Sequence, residues 1–262
     1  MLAGARSRPF CWPVADRRQP KHDLCLPGLG RRVFGAWLNA AATGIAALAY
    51  AGAARSALRR GRRRAVPTLF GLIAVFLVLA SLRQVAAALS EDPWFAEADR
   101  QLFFLLLVPA ATTILPLVHL LGSILSDDPR VPRLATGVAA LPIAVGLYFA
   151  FAEGVHGPIV SWYGTDWELV SPVTKAILVG VILLPATVGS AWLIRLAREP
   201  AVPSRRILLV GVSSLVFFVL FVLDALTLPG PLLILARLGT AAAGVVAWVA
   251  YAKSPPEPAE AA

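Results

Sequence analysis

Residues 66–89 read VPTLFGLIAVFLVLASLRQVAAAL, twenty-four positions in which a single side chain, Arg83, is charged. An α-helix rises about 1.5 Å per residue, so about 20 apolar residues cross the roughly 30 Å hydrocarbon layer of a bilayer. Inside that layer each peptide group has to bond within its own segment, and a helix satisfies this requirement. Six more segments have the same character: 33–54, 102–125, 134–152, 173–194, 207–228 and 231–252. The expected fold is therefore all-α, a polytopic membrane protein with a bundle of seven transmembrane helices. Each break is marked by turn-forming residues, as at Glu91-Asp92-Pro93, Asp127-Asp128-Pro129 and Pro229-Gly230-Pro231.

The whole chain agrees with these runs. Its 262 residues are 58% hydrophobic and 15% charged, with a mean hydropathy of +0.74. Soluble domains run near 45–50% apolar and about 25% charged. A soluble enzyme, a coiled coil and a disordered chain are excluded. So is an outer-membrane barrel, whose strands alternate in segments of about ten residues.

Basic residues in short loops set orientation. Arg55, Arg59, Arg60, Arg62, Arg63, Arg64, Arg130, Arg133, Arg195, Arg198, Arg205, Arg206 and Lys253 fall on one side. The opposite loops hold only Arg100, among Glu91, Asp92, Glu97, Asp99, Glu153, Asp166 and Glu168. The arginine-rich side is expected in the cytoplasm, with the N-terminus outside and the C-terminus inside. Residues 1–32 run against this pattern with seven basic side chains, and they lack the apolar core of a signal peptide. They are expected to be a disordered or mis-assigned tail, and 253–262 a disordered cytoplasmic tail. The formal charge falls from +9 for the chain to +4 for residues 33–262, so the basic loops point to anionic lipid and not to nucleic acid. Cys11 and Cys25 both lie in the first tail and could pair there; no metal or disulfide framework spacing is present.

Intramembrane charges are costly, and each needs a reason. Arg83 with Gln84, Lys175, Asp224 and Arg237 all fall roughly 4–12 Å below the outer surface by residue count. The last two helices join through a very short loop, which makes Asp224 and Arg237 an expected ion pair. Two readings stay open: an outward polar pocket favouring an anionic or polar ligand, or a structural bridge with Arg83 and Lys175 reaching to the headgroups. The inner halves offer little beyond Asn39, His119 and Ser123.

The outer loop 153–172 is the longest and most aromatic. Its Glu153, His156, Asp166 and Glu168 have ligand chemistry but match no zinc spacing. Trp162, Tyr163 and Trp167 fit an interfacial aromatic belt, or a capping loop. No metal or cofactor is expected. Two histidines at one depth, as a bis-His haem needs, are not present, and no lysine sits mid-helix for a retinal. Ser190 and His119 have similar depth but lack an elbow motif and an orienting acid. Pro109, Pro116, Pro142 and Pro185 bend their helices. Ala40, Gly44, Ala236, Thr240 and Gly244 give small-residue faces for close packing or for a partner helix.

This order of features resembles the seven-helix membrane sensor region of bacterial histidine kinases and diguanylate cyclases. It comprises a small-residue first helix, an arginine-rich first inner loop, a proline-broken third helix and an outer loop with His and Trp. An Arg-Arg start to the sixth helix and a small-residue seventh complete it. The resemblance covers 33–252 and implies that the helices receive a signal and pass it through the last one to a catalytic domain. Ten residues follow that helix here, so either the output runs through a separate membrane or cytoplasmic signalling partner or the function has drifted; a homo-oligomer is a further expected partner. A non-catalytic sensor or accessory subunit is the leading expectation. A small transporter or channel subunit and a membrane-embedded lipid-modifying enzyme are the alternatives. Abundant Ala and Arg with one Met point to a bacterial inner or plasma membrane.

Overall fold

In the computed structural model the described residues are 11–12, 24–25, 29–60, 64–89, 93–161, 164–177, 180, 183–198, 205–225 and 230–253. Helix α1 spans Leu29–Arg59, α2 Ala65–Ala88, α3 Pro93–Thr112, α4 Ile114–Leu125 and α5 Arg130–Glu153. Helices α6 (Pro172–Ile177), α7 (Leu184–Leu196), α8 (Arg205–Ala225) and α9 (Gly230–Lys253) follow. The fold is overwhelmingly helical, and five of its apolar stretches are long enough to cross a membrane: Phe34–Arg59, Ala65–Ala88, Trp94–Leu125, Arg130–Glu153 and Leu232–Lys253. A shorter apolar helical stretch covers Ile207–Val219.

Three expectations need correction. The segment expected at 102–125 begins nine residues earlier, at Pro93, and takes Glu97, Asp99 and Arg100 into a helix. Its regular hydrogen-bond ladder is interrupted at Thr113, where α3 passes into α4, while Thr113 keeps helical φ/ψ and the helical stretch runs on to Leu125. Pro116 has no N–H to donate to the Thr112 carbonyl, so the ladder cannot run through. Within the segment expected at 173–194, the described α-helical residues are α6 and α7, and Gly180 and Leu183 between them have wider, π-type helical turns. Finally, the loop expected at 153–172 contains two paired antiparallel strands, β3 (Val155–Ser161) and β4 (Gly164–Leu169), which make a hairpin.

In the first tail, β1 (Cys11–Trp12) and β2 (Leu24–Cys25) pair antiparallel, with Cys11 opposite Cys25 in the backbone register. The rest of that tail and the tail after Lys253 lie outside the described residues.

Helix α1 is the axis of the bundle and packs chiefly against α2 and α9. Tyr50, fully buried, marks its inner face. The Tyr50 ring lies 5.9 Å from that of Phe70 on α2, and its hydroxyl donates to the Ser213 carbonyl on α8 at 3.2 Å. A Cβ placed on Gly244 of α9 would come within 2.9 Å of the same ring. One tyrosine therefore fixes the positions of three helices around α1. The register of α1 against α9 is parallel, with Gly52 facing Trp248 as Tyr50 faces Gly244. Against α2 it is antiparallel, with Ser81 Oγ donating to the Ala40 carbonyl at 2.9 Å.

Helix α5 stands at the edge. Only 17% of its most apolar window is buried, against 44–56% in the other four long stretches. Leu134, Val138, Leu141 and Tyr148 are exposed on it, the surface a helix presents to lipid tails.

Gly244 is a position where space decides the residue. Gly244→Leu drives a side chain into Tyr50 and Ala49, and overpacking of this kind costs about 1–3 kcal/mol. A lowered unfolding temperature in detergent, with Gly71→Ala as the unhindered control, is the expected result.

Candidate functional site

The hairpin defines one end of the bundle, and the loop joining α1 to α2, with its arginines, the other. At the hairpin end α2 carries Arg83, which is 7% exposed. Its Nε donates to Asp99 Oδ1 at 2.9 Å, and Asp99 is only 1% exposed. Asp99 projects from α3 one turn before Phe103, and the Arg83 guanidinium carbon lies 5.1 Å from the centre of that ring. The other carboxylate oxygen, Oδ2, accepts the indole N–H of Trp167 at 2.7 Å. A cation on α2, an anion on α3 and an indole on β4 thus form one buried connection.

The local reasons are visible in each element. Asp99, Phe103, Leu106, Leu107 and Ala110 recur at helical spacing and are all buried, so the acid lies on the apolar stripe of α3. Successive strand residues face opposite sides. Trp167 and Leu169 of β4 turn inward, and Leu169 packs with Phe103, Leu107 and Ala150. The ladder skips between His156 and Ile159, so Gly157 and Pro158 together oppose Trp167. Such a bulge re-aims the strand. Gly157 sits at φ +139°, a conformation side chains with a Cβ avoid.

Glu168, between Trp167 and Leu169, faces outward. It stands across from His156 and accepts a hydrogen bond from Lys175 Nζ at 2.5 Å. This bond and the Lys175 charge, with a smaller contribution from His156, hold the Glu168 carboxyl below its ordinary pKa. Lys175 is set in place by α6, whose first turn is capped by Ser171: the Thr174 N–H bonds to its Oγ at 3.2 Å.

The residues expected to share a pocket therefore divide. Arg83 is turned to Asp99 and Lys175 to Glu168. Gln84 is 7% exposed, and among the described residues its Oε1 has no hydrogen-bond partner. Arg237 is buried on α9, at 8% exposure. The Asp224 side chain lies outside the described residues, and with it the expected Asp224–Arg237 pair. In the outer loop, Trp162 and Tyr163 also lie outside them, while Asp166 stands opposite Ile159. Among the described residues no three His, Cys, Asp or Glu converge as metal ligands.

At the opposite end, Arg55 and Arg59 are exposed on α1, and Arg60 donates through Nη2 to the Ala252 carbonyl near the end of α9. Arg64, just before α2, accepts at its carbonyl from Thr68 Oγ1 at 2.7 Å. Arg62 and Arg63 lie outside the described residues. His119 Nδ1 is 3.4 Å from Thr136 Oγ1, whereas the buried Ser190 Oγ has no partner among the described residues, so these two do not form a nucleophile–base pair.

Asp99 is the residue that loop-level reading passes over, because its neighbours Glu97 and Arg100 look like loop charges. The signal was its position four residues before Phe103. The reading of Asn39 as an inner-half residue also needs correction. Near the start of both the expected segment 33–54 and α1, it lies in the hairpin-end half, beside Ala40, which is bonded to Ser81.

No protein family, curated protein or solved structure matches this chain.

Truncating Asp99 strands a buried guanidinium, which costs about 3–5 kcal/mol. Asp99→Ala should therefore lower stability severely. The double variant Arg83→Met/Asp99→Leu should recover most of the loss, as measured by unfolding in detergent. At the surface, Lys175→Ala should raise the Glu168 pKa toward the ordinary carboxylate value. The wild-type carboxyl keeps its charge to lower pH, so this contact fades only as pH falls through the depressed pKa. Carboxyl-selective NMR titration reads the difference.

Proposed function

We propose that this chain is a non-catalytic integral membrane protein, a sensor or accessory subunit that couples its outer hairpin to the helix bundle and signals through a separate partner. The observation that carries the reading is the Arg83–Asp99–Trp167 connection. A hairpin held only by backbone contacts could shift without moving the helices. This one is joined to α2 and α3 through a buried charge pair, so a force or ligand acting on the hairpin is transmitted to them. Such a pair has two discrete arrangements, made and broken, as a switching element requires. The proline-separated α3 and α4 give the bundle a joint through which that movement can continue.

In this reading the bundle crosses a bacterial inner or plasma membrane seven times, with the N-terminus outside and the hairpin facing outward. The strong arginine bias toward the α1–α2 end supports that orientation. Arg60 at the end of α9 supports an output there, where α1 and α9 finish together. The resemblance to seven-helix sensor regions agrees with this assignment. A transporter is the second reading, favoured by the buried polar residues Asn39, Thr43, Ser213, Ser214 and Thr240 inside the bundle.

Single-cysteine variants on a background with Cys11 and Cys25 replaced by Ser test the orientation. Glu153→Cys should react with an impermeant maleimide in intact cells, and Arg59→Cys only after permeabilisation. Cross-linking in native membranes should then recover a stoichiometric partner that is lost or reduced with Trp167→Phe. Recovery of the protein alone, with solute uptake dependent on its expression, would replace the sensor reading with the transporter.

A further inference from the structure

We propose that the end of α1 that carries Arg55 and Arg59 binds one anionic membrane phospholipid, its acyl chains along α1 and its phosphate between the two arginines. Positions 48, 52, 55 and 59 of α1 recur at helical spacing and lie within about 60° of one another. Leu48 is 74% exposed, and Ile45, one turn before it, is exposed as well. Arg55 and Arg59 are both exposed. One outward stripe of α1 therefore passes from apolar to basic along its length.

Between the apolar and the basic part lies an indole. A Cβ placed on Gly52 would come within 2.7 Å of Cδ2 and Cε2 of Trp248, so this ring of α9 lies across the stripe. Trp248 is nevertheless 44% exposed. A half-exposed tryptophan at the edge of an apolar stripe belongs where hydrocarbon gives way to headgroups. Helix α1 has 31 residues and a length of about 46 Å, more than the roughly 30 Å hydrocarbon layer. Arg55 and Arg59, at its end, therefore reach headgroup depth. Arg60, bonded to the Ala252 carbonyl, ties the ends of α1 and α9 together and keeps Trp248 beside the stripe.

The chemistry follows from the groups. Arg55 and Arg59 stand four residues apart on one face, a like-charge pair that repels. A phosphate between them relieves the repulsion and accepts the paired N–H donors of both guanidinium groups. An acidic protein would meet the arginines but leave the apolar stripe next to them uncovered, whereas a phospholipid matches both parts at once. The site needs α1 to span a bilayer and holds whichever end faces the cytoplasm. Failure to find a signalling partner and failure to find this lipid are therefore distinct outcomes.

Native mass spectrometry of the full chain in dodecyl maltoside micelles tests the site, because a neutral micelle removes the general attraction of a charged membrane. With phosphatidylglycerol and phosphatidylcholine at equal concentration, the protein should retain one phosphatidylglycerol in preference. Arg55→Gln/Arg59→Gln, at exposed positions that leave the fold intact, should weaken that binding by about tenfold or more. Arg195→Gln/Arg198→Gln removes the same charge from exposed positions at the end of α7 and should stay close to wild type. Glycerol 3-phosphate, which has the anion without the chains, should not compete. Equal retention of the two lipids would overturn the proposal. So would equal losses in the two double variants, the signature of diffuse attraction, or competition by glycerol 3-phosphate, the signature of a soluble anion. An Arg55→Gln/Arg59→Gln protein that keeps its lipid preference but loses a cross-linked protein would give the surface to an acidic partner instead.

Discussion

A guanidinium inside a bilayer-length helix has to be matched, and the match Arg83 makes with Asp99 sets the geometry of one whole end of this protein. The pair forces the first turns of α3 to stay helical and to bring Asp99 against α2. Because a carboxylate has two oxygens, the second remains available for the Trp167 indole, and that bond seats β4. Phe103 covers the guanidinium from below. The hairpin's place over the bundle thus follows from the need to satisfy one charge in a low-dielectric setting.

Deeper in the bundle the organising element is steric. Tyr50 reaches α2, α8 and α9 at once, and this is possible because Gly244 leaves room for its ring. Packing a ring against a bare backbone suits a membrane, where apolar helices gain nothing from hiding from lipid and associate through packing. Toward the hairpin end α1 and α2 each carry a buried amide, Asn39 and Gln84. Their unmatched amides contrast with the fully matched Arg83–Asp99 pair a short distance away. One arrangement holds the structure together, and the other leaves hydrogen-bonding capacity unused.

Helix-forming stretches such as 66–89 and 231–252 were legible to within a residue or two because continuous apolarity and the turn residues at their ends act locally. The irregularity at Thr113 was legible only as a proline. How far a helix departs from regularity there depends on what its neighbours can tolerate. The hairpin was hidden because its strands are short and its decisive contacts, Trp167 to Asp99 and Leu169 to Phe103, cross about 70 residues of chain. Asp99 was hidden for a related reason: residue count placed it among loop acids, and only the continuation of the buried stripe of α3 reveals its direction.

Composition and period by themselves therefore determined the membrane class, the positions of the main helices and the charge asymmetry between the two ends. Each of these arises from transferring a segment, as a unit, between water and an apolar phase. Tertiary structure alone decided which charges meet. Arg83, Lys175 and Gln84 share a depth in the sequence, yet one turns to Asp99, one to Glu168 and one keeps an unmatched oxygen. Depth is a property of a helix taken alone, whereas pairing depends on its rotation and register against neighbours, and those are fixed by packing between segments far apart in the chain.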